Sequence, residues 1–286
     1  MNAYELTACA ALDLMRKREL SATELVTSCL SRLEALEPEI GAWQHLAPEA
    51  ALARAAAIDE KPTGGPLDGL PIGVKDVIDT ADMPTEYGSP IFSGWRPAMD
   101  AACVMVARRQ GAIVLGKTVT IAFACGAAVK TANPLDTQRT AGGSSSGSAA
   151  AVAGKMVPFG FGTQSASSLI RPASYCGLVG MRPSMGLMSV AGFKYFNGSY
   201  DTIGLLGRDV DDVELFWSTQ LDLPFACGGM PDAPLKIAIC RPSWLDRAEV
   251  SALETIDRAQ AALSAAGAEV REIVLPKSYD ELVRLH

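Results

Sequence analysis

Histidine is almost missing from this chain. Among 286 residues there are two, His45 and His286, and the second is the last residue. A histidine-built zinc site and a Ser-His-Asp triad are therefore excluded, since each needs imidazoles the sequence does not supply. Any hydrolytic chemistry must find another base. The cysteines also lack a pattern. Cys9, Cys29, Cys103, Cys125, Cys176, Cys227 and Cys240 are scattered, odd in number and never spaced as CxxC. They read as separate thiols in a reducing cytosol rather than disulfides or metal ligands, so a cytoplasmic location is expected. Basic clusters are absent too. A net charge of −7 and a pI near 5.0 argue against nucleic acid or an anionic membrane surface as partner. The apolar stretches are interrupted by Lys, Gly or Pro well short of a membrane-spanning length. The start, MNAYELTACAALDLMRKREL, has no basic segment followed by an apolar run, so no secretory signal is expected.

What is present suits a folded α/β protein. Hydrophobic residues make up 49% and charged residues 20%, enough to bury a sizeable core. The length suits one large domain or about two. Residues 1–60 read as helices; Ser21 and Glu24 form a capping box for ATELVTSCLSRLEAL, and PEAALARAAAIDE is rich in helix formers. KPTGGPLDG is a loop and LPIGVKDVID a short buried strand. The helix DAACVMVARRQGA, ending near Gly111, precedes the strand IVLGK. MVPFGFGTQ and GLVGMRP read as further strands, and LGRDVDDVELFWSTQ as a helix. The strand LKIAIC, the helix EVSALETIDRAQAALSAAG, the strand AEVREIVLP and the first turn of another helix complete the chain. Short strands alternating with helices predict a mostly parallel or mixed sheet.

One stretch does not fit that simple reading. AGGSSSGSAAAVAG, residues 141–154, has linker composition yet leads at once into a buried-looking helix. It lacks the G-x-x-x-x-G-K-[ST] pattern of a phosphate loop. Small residues could instead let the backbone turn tightly, so that hydroxyls converge on one point. A second such run, GTQSASSLIRPASYCG from Gly162, follows a strand. A serine on a tight turn there would have successive N–H groups facing an incoming carbonyl oxygen. Two serine-rich turns need a base, and Lys75, within LPIGVKDVID, is the candidate: buried, its amine can be neutral. Without burial it is a strand-end lysine with its amine in water.

These pieces together resemble the amidase signature family, the Ser-cisSer-Lys amide hydrolases. The matching segments are GVKDVIDT, GSPIFSGW, GAIVLGKT, NPLDTQRTAGGSSSGSAAAVA, PFGFGTQSASSLIRPASYCGLVGMRPS and SYDTIGLLGRDVDD, in the family's order and across nearly the whole chain. GGSSSGSAAAV and GTQ…S-x-I-R-P-A are most similar to malonamidase-type enzymes. The resemblance implies a mixed central sheet covered by helices on both faces. It implies one amidase domain over 1–286, with a helical N-terminal region at 1–60, a catalytic core at 61–228 and the start of a peripheral C-terminal part at 229–286. It further implies Ser168 as nucleophile, Ser144 as bridging serine on a cis Gly143–Ser144 peptide, and Lys75 as base. Ser145 would support this network, and backbone N–H groups of Ser165, Ala166, Ser167 and Ser168 would form the oxyanion hole. No cofactor or metal is implied.

Arg171, three residues after Ser168, could bind a substrate carboxylate or pair with a structural one. Two departures from the family pattern stand out. Ala166 and Ser167 occupy positions usually held by glycine, which matters if either needs a positive φ. Family members also continue well past SYDELVRLH, so the sheet is expected to be incomplete at the C-terminus and a homodimer or a partner to cover the open edge. The first functional expectation is hydrolysis of a small, carboxylate-bearing amide. The second is a glutamine-hydrolysing subunit of a tRNA-dependent amidotransferase; that class usually has its arginine two residues after the serine, not three. The third is a non-catalytic relic.

Overall fold

The computed structural model describes residues 2–126, 129–225 and 233–285. Cys227 and His286 lie outside the described residues. The chain divides into two compact units, Met1–Cys227 and Gly228–His286.

The first unit opens with helices α1 (Ala8–Arg16) and α2 (Ala22–Ile40), strand β1 (Trp43–Leu46) and helix α3 (Pro48–Glu60). The capping box of α2 forms as expected: Ser21 Oγ accepts from Glu24 N at 3.1 Å, and Glu24 accepts from Ser21 N at 2.8 Å. Gly41, at φ 63°, ends the helix in the left-handed conformation. The all-helical reading of residues 1–60 needs correction, because Trp43–Leu46 pairs antiparallel with a later strand. Four residues carry too little alternation to announce an edge strand. Next come β2 (Pro71–Lys75), α4 (Ala102–Arg109), β3 (Ile113–Thr118) and a small hairpin of β4 (Ala132–Asn133) and β5 (Asp136–Thr140). Then follow α5 (Ser146–Ala153), β6 (Phe159–Gln164), α6 (Ile170–Tyr175), β7 (Val179–Met181), β8 (Thr202–Gly207) and α7 (Val210–Leu221).

Among the described residues, six strands form one mixed sheet in the order β1-β3-β2-β6-β8-β7. β3, β2 and β6 run parallel; β1 and β8 run against their neighbours. Side-chain alternation assigns each strand two faces. Ile72, Val74, Phe159, Phe161, Ile203 and Leu205 join a core with residues of α1, α4 and α7. Phe216 of α7 stacks on Phe159 with ring centres 4.4 Å apart. The alternate positions in β2, β6 and β8 include Gly73, Gly160, Gly162 and Gly204. Onto that face packs α5, whose sequence SGSAAAVA has no side chain larger than valine. A β-carbon on Gly162 would lie 2.5 Å from Leu169 Cδ1 and 2.9 Å from Ser145 Oγ. Gly160 and Gly162 thus leave room for Val152 of α5, for Ser145 at its start and for Leu169.

β8 was not read from the sequence, since TIGLLG holds two glycines and sits where a helix reading began at Leu206. The second unit has β9 (Lys236–Cys240), α8 (Val250–Ala265), β10 (Glu269–Ile273) and α9 (Ser278–Leu285). β9 and β10 pair in parallel, joined through α8. Among the described residues no helix is long and apolar enough to cross a membrane.

Candidate active site

Lys75 is the last residue of β2 and is fully buried. Its Nζ lies 2.7 Å from Ser144 Oγ and 2.7 Å from Thr163 Oγ1. No carboxylate forms an ion pair with it among the described residues. Burial holds its amine well below the usual lysine range, and the Asp201 carboxylate opposes that shift in part. A lysine so placed can be a neutral base.

Ser144 and Ser145, both fully buried, precede α5, and the Gly143–Ser144 peptide is cis. Ser145 Oγ donates to Thr163 O and accepts from Thr163 N, each at 3.2 Å. β2 pairs with β6 no further than Phe161, so the serine side chain serves both backbone groups of Thr163 beyond that point. The Ser145 N–H donates to Ser168 O at 3.0 Å. One residue thus ties the end of β6 to the turn carrying Ser168.

That turn is Ser165–Leu169. The nearly buried Gln164 accepts from Leu169 N at 3.1 Å and Ile170 N at 3.0 Å, folding the chain back onto the strand end. The N–H groups of Ala166, Ser167 and Ser168 donate to no group among the described residues, so three donors remain free on one turn. Ala166 and Ser167 both have negative φ; neither is among the positive-φ residues, so their β-carbons cause no left-handed strain. The Ser168 hydroxyl is part-exposed and makes no hydrogen bond with Ser144 among the described residues. The structure therefore brings Lys75, Ser144 and Ser145 into one network and places Ser168 beside it through its backbone.

Arg171 is exposed and pairs with no carboxylate among the described residues. Its Nε and Nη2 donate to Gly143 O at 3.2 and 2.7 Å. It lines a cavity of about 260 Å³ with Gly142, Gly143, Ile121, Thr140 and Tyr175. The structural-carboxylate alternative for Arg171 is thus replaced by a carbonyl partner.

The amidase family profile matches residues 24–285. The chain belongs to the amidase family. It is 43% identical to a glutamyl-tRNA(Gln) amidotransferase subunit of Chloroflexus aggregans, over 74% of this chain and 46% of that one. It is 35% identical to the same-named protein of Microcystis aeruginosa, over 91% of this chain and 59% of that one. Among solved structures it resembles the native peptide amidase from Stenotrophomonas maltophilia, with a TM-score of 0.84 and 30% identity over 96% of this chain and 63% of that one. The chain spans about half the length of the curated relatives it matches.

Sequence reasoning missed three residues of this candidate site. Thr163 is the second partner of Lys75. It was legible only as the T of GTQ, five residues before Ser168. Gln164 closes the turn, and Asp201 accepts from the Ser165 hydroxyl. Asp201 stands 33 positions from Ser168, and only the β6–β8 pairing brings it near. A buried ion pair involves Asp76, the residue after Lys75. Lys117 Nζ is 3.3 Å from Asp76 Oδ1 and donates to Thr85 Oγ1 at 2.5 Å. Burial pushes the Asp76 carboxyl up and the Lys117 amine down, and their mutual attraction opposes both shifts. Burial also pushes the thiols of Cys29, Cys103 and Cys176 up to about 12, which makes them inert packing groups. Among the described residues no group of three His, Cys, Asp or Glu side chains could hold a metal ion.

Proposed function

We propose that this chain carries the catalytic centre of an amide hydrolase working through a seryl acyl-enzyme. The observation that carries the reading is Lys75, fully buried, without a carboxylate ion pair among the described residues, 2.7 Å from Ser144 Oγ. Neutral Lys75 accepts the Ser144 hydroxyl proton as Ser144 accepts that of Ser168, whose Oγ forms a bond to the amide carbon. The Ser168 hydroxyl must swing toward Ser144 for this step, and catalytic hydrogen bonds commonly tighten only when substrate is bound. The free N–H groups of Ala166, Ser167 and Ser168, with Ser165 beside them, face the developing oxyanion. Collapse breaks the C–N bond. The leaving amine takes a proton from Ser144, which recovers one from Lys75. Water then attacks the ester by the same relay and frees the carboxylic acid. The relay and the oxyanion donors are all supplied by the chain.

Two of the Arg171 N–H groups hold Gly143 O, and the rest of its fork is available to a carboxylate on the substrate. A small, carboxylate-bearing amide is therefore the favoured substrate class. The relatives' printed names favour a second reading, hydrolysis of glutamine as part of a tRNA-dependent amidotransferase. Glutamine also carries a carboxylate, but the Arg171 spacing speaks for a separate amidase. The test is a panel of small amides, with and without a carboxylate, in which the acyl-enzyme is trapped by acid quench and located by mass spectrometry. An acylated peptide containing Ser168, with Arg171→Ala slowing acidic amides more than neutral ones, is expected. Acylation by glutamine alone would favour the second reading, and acylation elsewhere would overturn both.

A further inference from the structure

Asp201 is buried just before β8, and among the described residues its carboxylate accepts three hydrogen bonds. Its Oδ1 accepts from Ser165 Oγ, while Oδ2 accepts from Phe196 N and, at 2.9 Å, from Asn197 N. Ser165 opens the turn that carries Ser168. Phe196 and Asn197 belong to the loop leading from β7 to β8. That loop is anchored across the residues just after Lys75: Asp79 N donates to Gly192 O at 2.8 Å and Lys194 N to Val77 O at 2.9 Å. The register of β6 with β8 ends on Gln164 opposite Thr202, which sets Ser165 and Asp201 side by side. One carboxylate thus joins two segments that flank the candidate base and nucleophile.

We propose that Asp201 is a positioning residue that holds the Ser165–Ser168 turn and the 190–197 loop in one fixed arrangement. This rests on the seryl acyl-enzyme reading above. A carboxylate suits the place because it accepts in several directions at once and is desolvated there. Its charge also faces Lys75, one of the influences on that amine. The loop and the turn would otherwise be surface segments free to move apart.

The test uses the full chain and two readouts. The first is hydrogen exchange at Leu169 and Ile170, whose N–H groups close the turn on Gln164. The second is the rate at which a fluorophosphonate labels Ser168, with kcat and KM for an amide. Asp201→Ala is expected to speed exchange at Leu169 and Ile170 at least about tenfold while β6 stays protected. It should slow labelling and kcat roughly 10²-fold, the scale of one misplaced oxyanion donor, with KM little changed. Asp201→Asn keeps an acceptor for the loop and gives Ser165 a donor, so it should restore most of the protection. Ser165→Ala should speed exchange in the turn alone. Wild-type exchange in both Asp201→Ala and Ser165→Ala overturns the proposal. So does faster exchange spread evenly through β6, which would show a merely structural loosening. If Asp201→Ala does not fold, Ser165→Ala and Asp201→Asn decide by the same exchange criterion. If the wild type is never labelled, the acyl-enzyme reading falls, and the exchange result still decides whether Asp201 holds the turn.

Discussion

Ser145→Ala and Ser146→Ala make an informative pair, because two adjacent, fully buried serines differ in what their hydroxyls do. Ser145 Oγ serves both backbone groups of Thr163. Ser146 Oγ has no hydrogen-bond partner among the described residues. Removing the first hydroxyl leaves a buried N–H and a buried C=O unsatisfied, at about 1–3 kcal/mol each before any relaxation. Allowing for partial repair by water, Ser145→Ala should cost about 2–4 kcal/mol. That corresponds to a fall in Tm of roughly 5–15 °C for a unit of this size. Removing the second hydroxyl discards a desolvated group that gains nothing, so Ser146→Ala should be neutral or slightly stabilising. Function should follow the same split. Thr163 also holds Lys75 Nζ, so a shift at Thr163 misplaces the base, and kcat should drop by up to about 10²-fold in Ser145→Ala. Denaturant unfolding with amide turnover measures both. Equal destabilisation by the two substitutions would refute the reasoning, as would a Ser145→Ala loss below about 0.5 kcal/mol.

Lys75 predicts a pH dependence. Its amine is held neutral in the fold over a range where the unfolded chain carries it charged, so unfolding takes up a proton there. Its part of the stability therefore rises with pH between the depressed folded pKa and the ordinary value of 10.5; Lys75→Met should flatten that part of a Tm-against-pH profile, and kcat/KM should rise with pH through the folded Lys75 pKa. Lys117→Met leaves Asp76 as an unpaired buried carboxyl and should cost about 3–5 kcal/mol, most of it recovered in Lys117→Met/Asp76→Asn, as measured by chemical unfolding. Gly162→Ala forces a β-carbon against Leu169 and Ser145 and should cost about 1–3 kcal/mol in the same assay, with activity falling because Leu169 adjoins Ser168.

Much of the site was legible because its chemistry sits in short, unusual local words. A lysine in an apolar strand, two serine-glycine turns and a chain nearly without histidine pointed to Lys75 and to those turns, and the family resemblance singled out Ser144 and Ser168 within them. The structure places Lys75 and Ser144 2.7 Å apart. α3 was read to the residue, and α2 was read correctly at its capped start but ended at Leu36, short of its true end at Ile40. What escaped depends on pairing across distance. β1 is an edge strand of four residues, and β8 carries two glycines that make sense only once Leu169 and Val213 of α7 are packed against them. Asp201 falls in the matching segment SYDTIGLLGRDVDD, but nothing in that segment says what it meets; it becomes a partner of Ser165 through strand register. Arg171 shows the opposite limit. Its position was plain, but its partner, the Gly143 carbonyl, is a backbone atom that no side-chain pattern reveals.

The central claim is that Ser168 is a nucleophile activated through Ser144 by a neutral, buried Lys75. The most direct measurement is covalent labelling by a fluorophosphonate, with the modified residue located by mass spectrometry in the wild type, Lys75→Met and Ser144→Ala. The account predicts a single adduct on Ser168 in the wild type and labelling slower by at least about 10³-fold in each variant, since the relay is then broken. Labelling at another serine, or undiminished labelling of Ser168 in folded Lys75→Met, would contradict it.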